Sequence, residues 1–293
     1  METGTVESLG FPVDTAVCFS DHRGTYKKGA EKQQMKLLRK AAPVLRTLLR
    51  PGEKVLLAVP ACSPMSFMEQ WTTGWAIYYI KRCLLIVTDR RILELAAKRD
   101  LSPRPSITEI EHAGVAEAKV ATFLGRSIKL RYRSGRTDQF PQLDSKVAAR
   151  LKALLPSLVG QGATATPGGR QHLCPRCANR LPAADRCSHC FLEFKTRAKA
   201  IKYALIFPGG GYFYTGHPVL GAFDAMVELF LCVLVLGALL DTVAGKFSAD
   251  TAAALIVFGV GLAVEKAVSV YHAQHYVKEY LPADGDVTPI KAA

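Results

Sequence analysis

The sequence predicts a multi-domain chain: an antiparallel β head capped by a C-terminal helix, a small four-cysteine module, and a two-helix hairpin long enough to cross a bilayer. Three observations predict it. Short apolar and alternating runs fill residues 51–159. Four cysteines recur as Cys174-Pro-Arg-Cys177 and Cys187-Ser-His-Cys190. Two long apolar stretches then follow, Val219 to Leu240 and Thr251 to Val270.

Composition agrees with this division. Of 293 residues 49% are hydrophobic, and the excess lies after residue 200. The net charge of +13 points to anionic partners: lipid headgroups, nucleic acid or acidic proteins. Residues 1–26 carry no long apolar core, so they do not read as a secretory signal and are expected to be loose. Eight cysteines, half of them in paired knuckles, suit a reducing compartment better than a disulfide scaffold.

Residues 27–50 are basic and read as a helix with Leu38, Ala41, Leu45 and Leu49 on one face; Pro43 is a point where it can split. Such a helix either packs on the domain that follows or lies on a membrane, and its thin apolar face favours packing. Pro51-Gly52 ends it. Strands are then expected at Val55 to Val59, Trp75 to Tyr79, Leu84 to Val87, Ile92 to Leu95 and Ile107 to Ile110. Ile128, Leu130 and Tyr132 alternate with Lys129, Arg131 and Arg133, giving one apolar and one cationic face. Ser134-Gly135 turns the chain back toward Phe140. Asp144 is placed to cap a helix with Val147, Leu151, Leu154, Leu155 and Leu158 in one stripe.

Across residues 50 to 158 the sequence resembles the bacterial pleckstrin-homology-like family, close to the GRAM type. The residues that carry the resemblance are Gly52-Glu53-Lys54-Val55-Leu56, Leu85-Ile86-Val87-Thr88-Asp89-Arg90-Arg91-Ile92-Leu93, Ile107-Thr108-Glu109-Ile110 and the Ser134-Gly135 hairpin. Cys62 to Thr73 departs from the pattern. The resemblance implies a PH-like barrel that binds or scaffolds rather than an enzyme; eukaryotic members often bind phosphoinositides. Lys129, Arg131, Arg133 and Arg136 would form one cationic patch and Arg90 with Arg91 a second. Each basic residue held at an anionic lipid surface contributes about 1 kcal/mol. The same alternation also describes an ordinary solvated strand face.

Residues 160–171 are rich in Gly, Thr and Ala and read as a flexible linker. The segment 172–194 resembles the short zinc-ribbon family. Cys174, Cys177, Cys187 and Cys190 supply four thiolates, the donor set of a closed structural Zn2+ site with no position left for a reacting water. His189 is not needed as a ligand, and a redox dithiol would require only one Cys-x-x-Cys. Ribbons of this kind bind nucleic acid, bind proteins or brace a joint. Arg176, Arg180 and Arg186 permit the first, although no aromatic stacking residue lies between the cysteine pairs.

Residues 195–276 are expected to form a two-pass membrane domain, since about 20 apolar residues cross a bilayer core. Lys195, Arg197, Lys199 and Lys202 precede the spans and the connecting loop holds only Lys246, so both termini are expected in the cytoplasm. Asp224, Glu228 and Lys266 fall within the spans at comparable depth, and an intramembrane pair of Lys266 with Glu228 or Asp224 is expected, or contact within a homo-oligomer. Ahead of the first span, the Gly-rich, Tyr-rich stretch from Phe207 to His217 resembles the entry to the two-pass TM-two family, without that family's loop turn. A phosphate cradle would need a following Lys-Ser or Lys-Thr. His272 and His275 read as surface histidines, and residues 277–293 as a loose tail.

The sequence therefore leads to a non-enzymatic adaptor or scaffold in a bacterial cytoplasmic membrane, with lipids and a cytoplasmic protein as partners. An anionic-lipid reader and a membrane-tethered nucleic-acid binder are its alternatives. No catalytic constellation is assembled by the sequence.

Overall fold

The computed structural model describes residues 6–123, 125–160, 168–182 and 185–283. The chain divides into two compact units, the first running to Leu192 and the second beginning at Glu193. Residues 161–167 of the expected linker and 284–293 of the expected tail lie outside the described residues.

The first unit opens with a 3-10 turn, Val6–Leu9, and helix α1 (Thr15–Cys18), capped by Asp14, which accepts the Val17 N–H at 3.1 Å. Leu9, Cys18 and Phe19 are buried, so the expected loose N-terminus is instead packed here. Helix α2 (Lys28–Leu48) runs unbroken through Pro43 and buries Leu38, Ala41, Leu45 and Leu48. Burying a leucine of this kind contributes about 1.5–3 kcal/mol, so this face is enough to dock the helix on the sheet beneath it.

Strand β1 (Val55–Cys62) follows. The strand expected at Trp75 to Tyr79 is not formed. In its place are α3 (Phe67–Thr73), a 3-10 turn Gly74–Ala76, and α4 (Ile77–Ile80). The reason is local. Ser66 Oγ accepts the Glu69 N–H at 3.1 Å while Glu69 Oε2 accepts the Ser66 N–H at 2.7 Å, a reciprocal cap that starts a helix.

The chain then forms β2 (Arg82–Thr88), β3 (Arg91–Ala97), β4 (Pro103–Glu111), β5 (Val115–Ala121), β6 (Ser127–Tyr132), β7 (Thr137–Pro141), helix α5 (Ser145–Leu158) and the short β8 (Gln171–Leu173). They make two antiparallel sheets, β1-β2-β3-β4-β8 and β5-β6-β7. Leu57, Val59, Leu85 and Val87 point from the first sheet into a core shared with Ile128, Leu130 and Phe140 of the second and with Leu151 and Leu155 of α5. Ala58, Leu84, Ile86 and Leu93 point the other way, onto α2. Coverage on both faces is why β1 and β2 read as continuous apolar runs rather than alternating ones.

The sheets do not close into the expected barrel. The chain leaves β4 through a 3-10 turn, His112–Gly114, and β7 is short and ends in Pro141, which has no N–H to extend a ladder. The far end of the expected linker is held rather than free. Gly168 packs so closely that a Cβ there would lie 2.0 Å from the Gly114 carbonyl oxygen, and Arg170 forks onto Glu94 with two bonds of 2.9 Å.

The second unit consists of α6 (Arg197–Ile206), the short α7 (Gly210–Tyr214), α8 (Pro218–Val243) and α9 (Ala249–Val277). The start of the expected tail is paired: Lys195 N–H donates to the Leu281 carbonyl, and Ala283 N–H to that of Glu193, both at 2.9 Å. Helices α8 and α9, of 26 and 29 residues, are long and apolar enough to cross a membrane. Gly209 enters α7 in the left-handed region (φ +65°), and a Cβ there would meet the Gly221 carbonyl oxygen at 2.0 Å. Gly210 and Gly211 lie close to Tyr203 and Ala204 of α6, so the glycines serve close helix packing rather than a phosphate cradle.

Candidate metal centre and charged sites

Two turns of matching geometry build the cysteine cluster. In the first, the Cys174 N–H donates to the Asn179 carbonyl at 2.8 Å and the Ala178 N–H returns to the Cys174 carbonyl at 2.9 Å. In the second, Cys187 N–H donates to the Leu192 carbonyl at 2.9 Å and Phe191 N–H returns to Cys187 at 3.1 Å. Ala178 and Phe191, each following the second cysteine of a pair, both sit at positive φ (58° and 57°). This repeated turn aims two thiols from each knuckle at one point.

The four Sγ atoms lie within 4.8 Å of one another. Cys174 Sγ is 3.5 Å from Cys190 Sγ, and Cys177 Sγ is 3.6 Å from Cys187 Sγ. Thiolates at the corners of a Zn–S tetrahedron stand about 3.8 Å apart, so the cluster is close to the size of a metal cage. Its electrostatics favour thiolate at one corner. Burial works against ionisation of Cys187, but backbone N–H groups of Cys190 and His189 hold its thiol at about 7. Burial pushes the Cys174 thiol up. The four cysteines are therefore within metal-binding distance and chemically suited to a soft cation such as zinc.

The knuckles are joined to the head. Strand β8 pairs with β4 in the register Ile107↔Leu173, Thr108↔His172 and Glu109↔Gln171. Arg180 bonds Glu109 at 2.6 Å and Glu111 at 2.7 Å.

The two expected cationic patches differ in what they expose. Lys129, Arg131, Arg133 and Arg136 are exposed. Arg131 is 3.1 Å from Glu117 and Lys119 is 2.9 Å from the same carboxylate, so part of this charge is neutralised on the sheet. Arg133 Nε donates to the Ala113 carbonyl at 2.9 Å. Arg90 is exposed, but Arg91 is not available to any lipid: it is 3% exposed, bonded to Glu53 at 2.9 Å and to Glu109 at 2.6 Å, and capped by the Leu48 carbonyl at 2.7 Å. A guanidinium so enclosed is structural. Its carboxylate neighbours explain why: Glu53 is fully buried and also accepts the Thr88 hydroxyl at 2.7 Å.

In the second unit, Lys266 forms an ion pair with Glu228 and donates to the Ala204 carbonyl at 2.8 Å. Glu228 also accepts the Gly209 N–H at 3.2 Å. Asp224 is engaged instead by Ser269, whose hydroxyl lies 2.9 Å from both of its oxygens and from Glu265 Oε1. The sequence reading named Asp224, Glu228 and Lys266 and missed Ser269, which sits one turn after Glu265 on the same helix face. His272 is not a surface residue: it is 1% exposed and bonded to Tyr212. The signal was its spacing of three from Ser269 and seven from Glu265, which puts all three on the inward stripe of α9.

A further set is hidden in the sequence, because a strand over Trp75 to Tyr79 would separate those residues from Phe67 and Trp71. Phe67, Trp71, Trp75 and Tyr79 recur at every fourth position and stand exposed on α3, the Gly74–Ala76 turn and α4. The chain matches no protein-family model, no curated protein and no solved structure.

Proposed function

We propose that the protein is a two-pass membrane adaptor. A head of pleckstrin-homology-like type, stiffened by a structural zinc in the four-cysteine centre, is held at the cytoplasmic face of a bacterial membrane and binds rather than catalyses. The observation that carries this reading is the inverted build of the second unit. Phe223, Phe230, Val233 and Leu240 of α8 and Ile256 and Val260 of α9 are exposed, whereas Glu228 and Ser269 are buried between the helices. Water rejects such a surface and a hydrocarbon layer favours it.

The zinc would be held by Cys174, Cys177, Cys187 and Cys190 and would supply folding energy, not a reacting water. The nucleic-acid alternative has weak support, because Arg180 is engaged by Glu109 and Glu111 and Arg186 lies 5.0 Å over the Phe191 ring. The lipid-reader alternative draws on the exposed Lys129, Arg131, Arg133 and Arg136.

The test is topological. The protein should resist alkaline carbonate extraction from membranes. Lys246→Cys, in the loop between α8 and α9, should react with an impermeant maleimide added outside intact cells, above the level given by the parent chain. Extraction of the protein, or labelling of that loop only after permeabilisation, rejects the arrangement.

A further inference from the structure

β1 and β2 are joined by residues 63–81, which carry α3, the Gly74–Ala76 turn and α4. Along them Phe67, Trp71, Trp75 and Tyr79 are 77%, 72%, 88% and 59% exposed. The inward side is taken by Glu69, ion-paired with Lys81 at 3.1 Å with both side chains buried, and by Ile77. This is the reverse of a surface helix in water, which turns its apolar stripe to the core.

The segment is also firmly held, so the aromatics are not outward through looseness. Ser66 and Glu69 cap it reciprocally, and the Ser63 N–H donates to the Lys81 carbonyl at 2.7 Å. The β5–β6 turn adds Phe123, 82% exposed, which shares a cleft with Tyr78 and Arg126. Two separate loops therefore place aromatic tips at one end of the head.

Single exposed apolar residues are ordinary, but a run of large aromatics projecting together marks a docking surface. Its charge selects the occupant. Glu69 is the only carboxylate in residues 63–82 and is sequestered by Lys81. Arg82 lies over the Tyr79 ring at 5.3 Å, and Arg126 is exposed. Trp and Tyr flanked by arginine is the composition that settles at a bilayer interface, rings among the headgroups and guanidinium on phosphate. Residues this exposed project from the surface rather than line a groove, which suits a soft layer better than a shaped protein partner.

We infer that Phe67, Trp71, Trp75, Tyr79 and Phe123, with Arg82 and Arg126, form a second membrane contact that sinks into the headgroup layer of an anionic bilayer. The inference rests on the membrane-anchored reading only for the tether, which makes the docking intramolecular and lets a weak contact persist.

The chain holds two tryptophans, Trp71 and Trp75, so its intrinsic fluorescence reads this surface alone. The experiment reconstitutes the full chain in vesicles of phosphatidylcholine, with and without phosphatidylglycerol, each with and without acyl-brominated lipid. The expected result is a blue shift and bromolipid quenching that are stronger with phosphatidylglycerol, and their loss in Phe67→Ser/Tyr79→Ser/Phe123→Ser. Arg82→Gln should reduce the difference between the two lipid compositions. Unquenched, red-shifted emission in both vesicles overturns the inference. So does a blue shift that bromolipid does not quench and that grows with protein density, which assigns the surface to a second copy. Carbonate extraction of the same vesicles reports the hairpin separately: integrated protein with unquenched tryptophans fails this inference alone, and extracted protein fails the anchoring reading.

Discussion

Arg91 is a buried cation on which two carboxylates of the head converge. It lies between Glu53 and Glu109, both buried, and removing it strips Glu53 of its guanidinium while Glu109 keeps Arg50 and Arg180. Arg91→Met should therefore destabilise the head by about 3–5 kcal/mol, read as a lower urea midpoint. Arg91→Lys should recover only part of this, since an ammonium cannot fork between Glu53 and the Leu48 carbonyl. His112 gives a pH-dependent counterpart. Burial lowers its pKa despite the bond of 2.9 Å between Nε2 and the Thr88 carbonyl, and its Nδ1 has no partner among the described residues. The unfolded chain then binds a proton at about 6.5 more readily than the folded one. Its contribution is complete above that pH and is lost as pH falls through the depressed folded value. His112→Gln should flatten stability against pH over that window, measured as urea midpoints of variant and parent. Arg91 also shows where residue-level reading fails. Thr88-Asp89-Arg90-Arg91 announced a turn, but nothing local says which arginine turns inward. That choice depends on Glu53 and Glu109, 38 and 18 positions away.

Elements with a strong local signal were legible. The β2–β3 hairpin, the Asp144 cap of α5 and the alternation of β6 each follow from residues a few positions apart. The strand expected at Trp75 to Tyr79 is wrong because aromatic enrichment suggests a strand, whereas the spacing of four from Phe67 and the Ser66–Glu69 cap specify helix. Strand β5 was missed because its alanines erase the contrast between its two faces. Strand β8 spans three residues and exists through its pairing with β4. In the second unit, comparable position along the two apolar helices was enough to bring Lys266 and Glu228 together. Lys266→Met should leave the Glu228 carboxylate without its ammonium between two apolar helices. The expected outcome is a marked fall in detergent-extracted, monodisperse protein by size-exclusion chromatography, with rescue toward the parent level in Lys266→Met/Glu228→Gln.

At the scale of the whole molecule, the sequence reads as a head, a cysteine module and a hairpin, whereas the structure makes two compact units with the cysteine module inside the first. The module joins the head through β8, Arg180 and Arg170, contacts that bridge 60 to 80 positions and leave no trace in local pattern. Metal should accordingly stabilise the head and not only its own loops. The purified protein is expected to hold about one zinc per chain, the stoichiometry of a four-thiolate site. Chelation, or Cys174→Ser, should expose titratable thiols and lower the melting temperature of the head together with the knuckles. A head whose melting is unchanged by chelation would contradict this coupling.

The pairing of β8 with β4 has one more outcome. Without it, the backbone N–H and C=O groups of residues 107–109 would face outward unpaired, next to a sheet already rich in Ile, Leu and Val. Such a border invites strand addition from another chain. Covering of that edge by β8 would thus act as a catch against such strand addition. Zinc-starved protein, crowded on a two-dimensional surface, would be the population in which that catch is released.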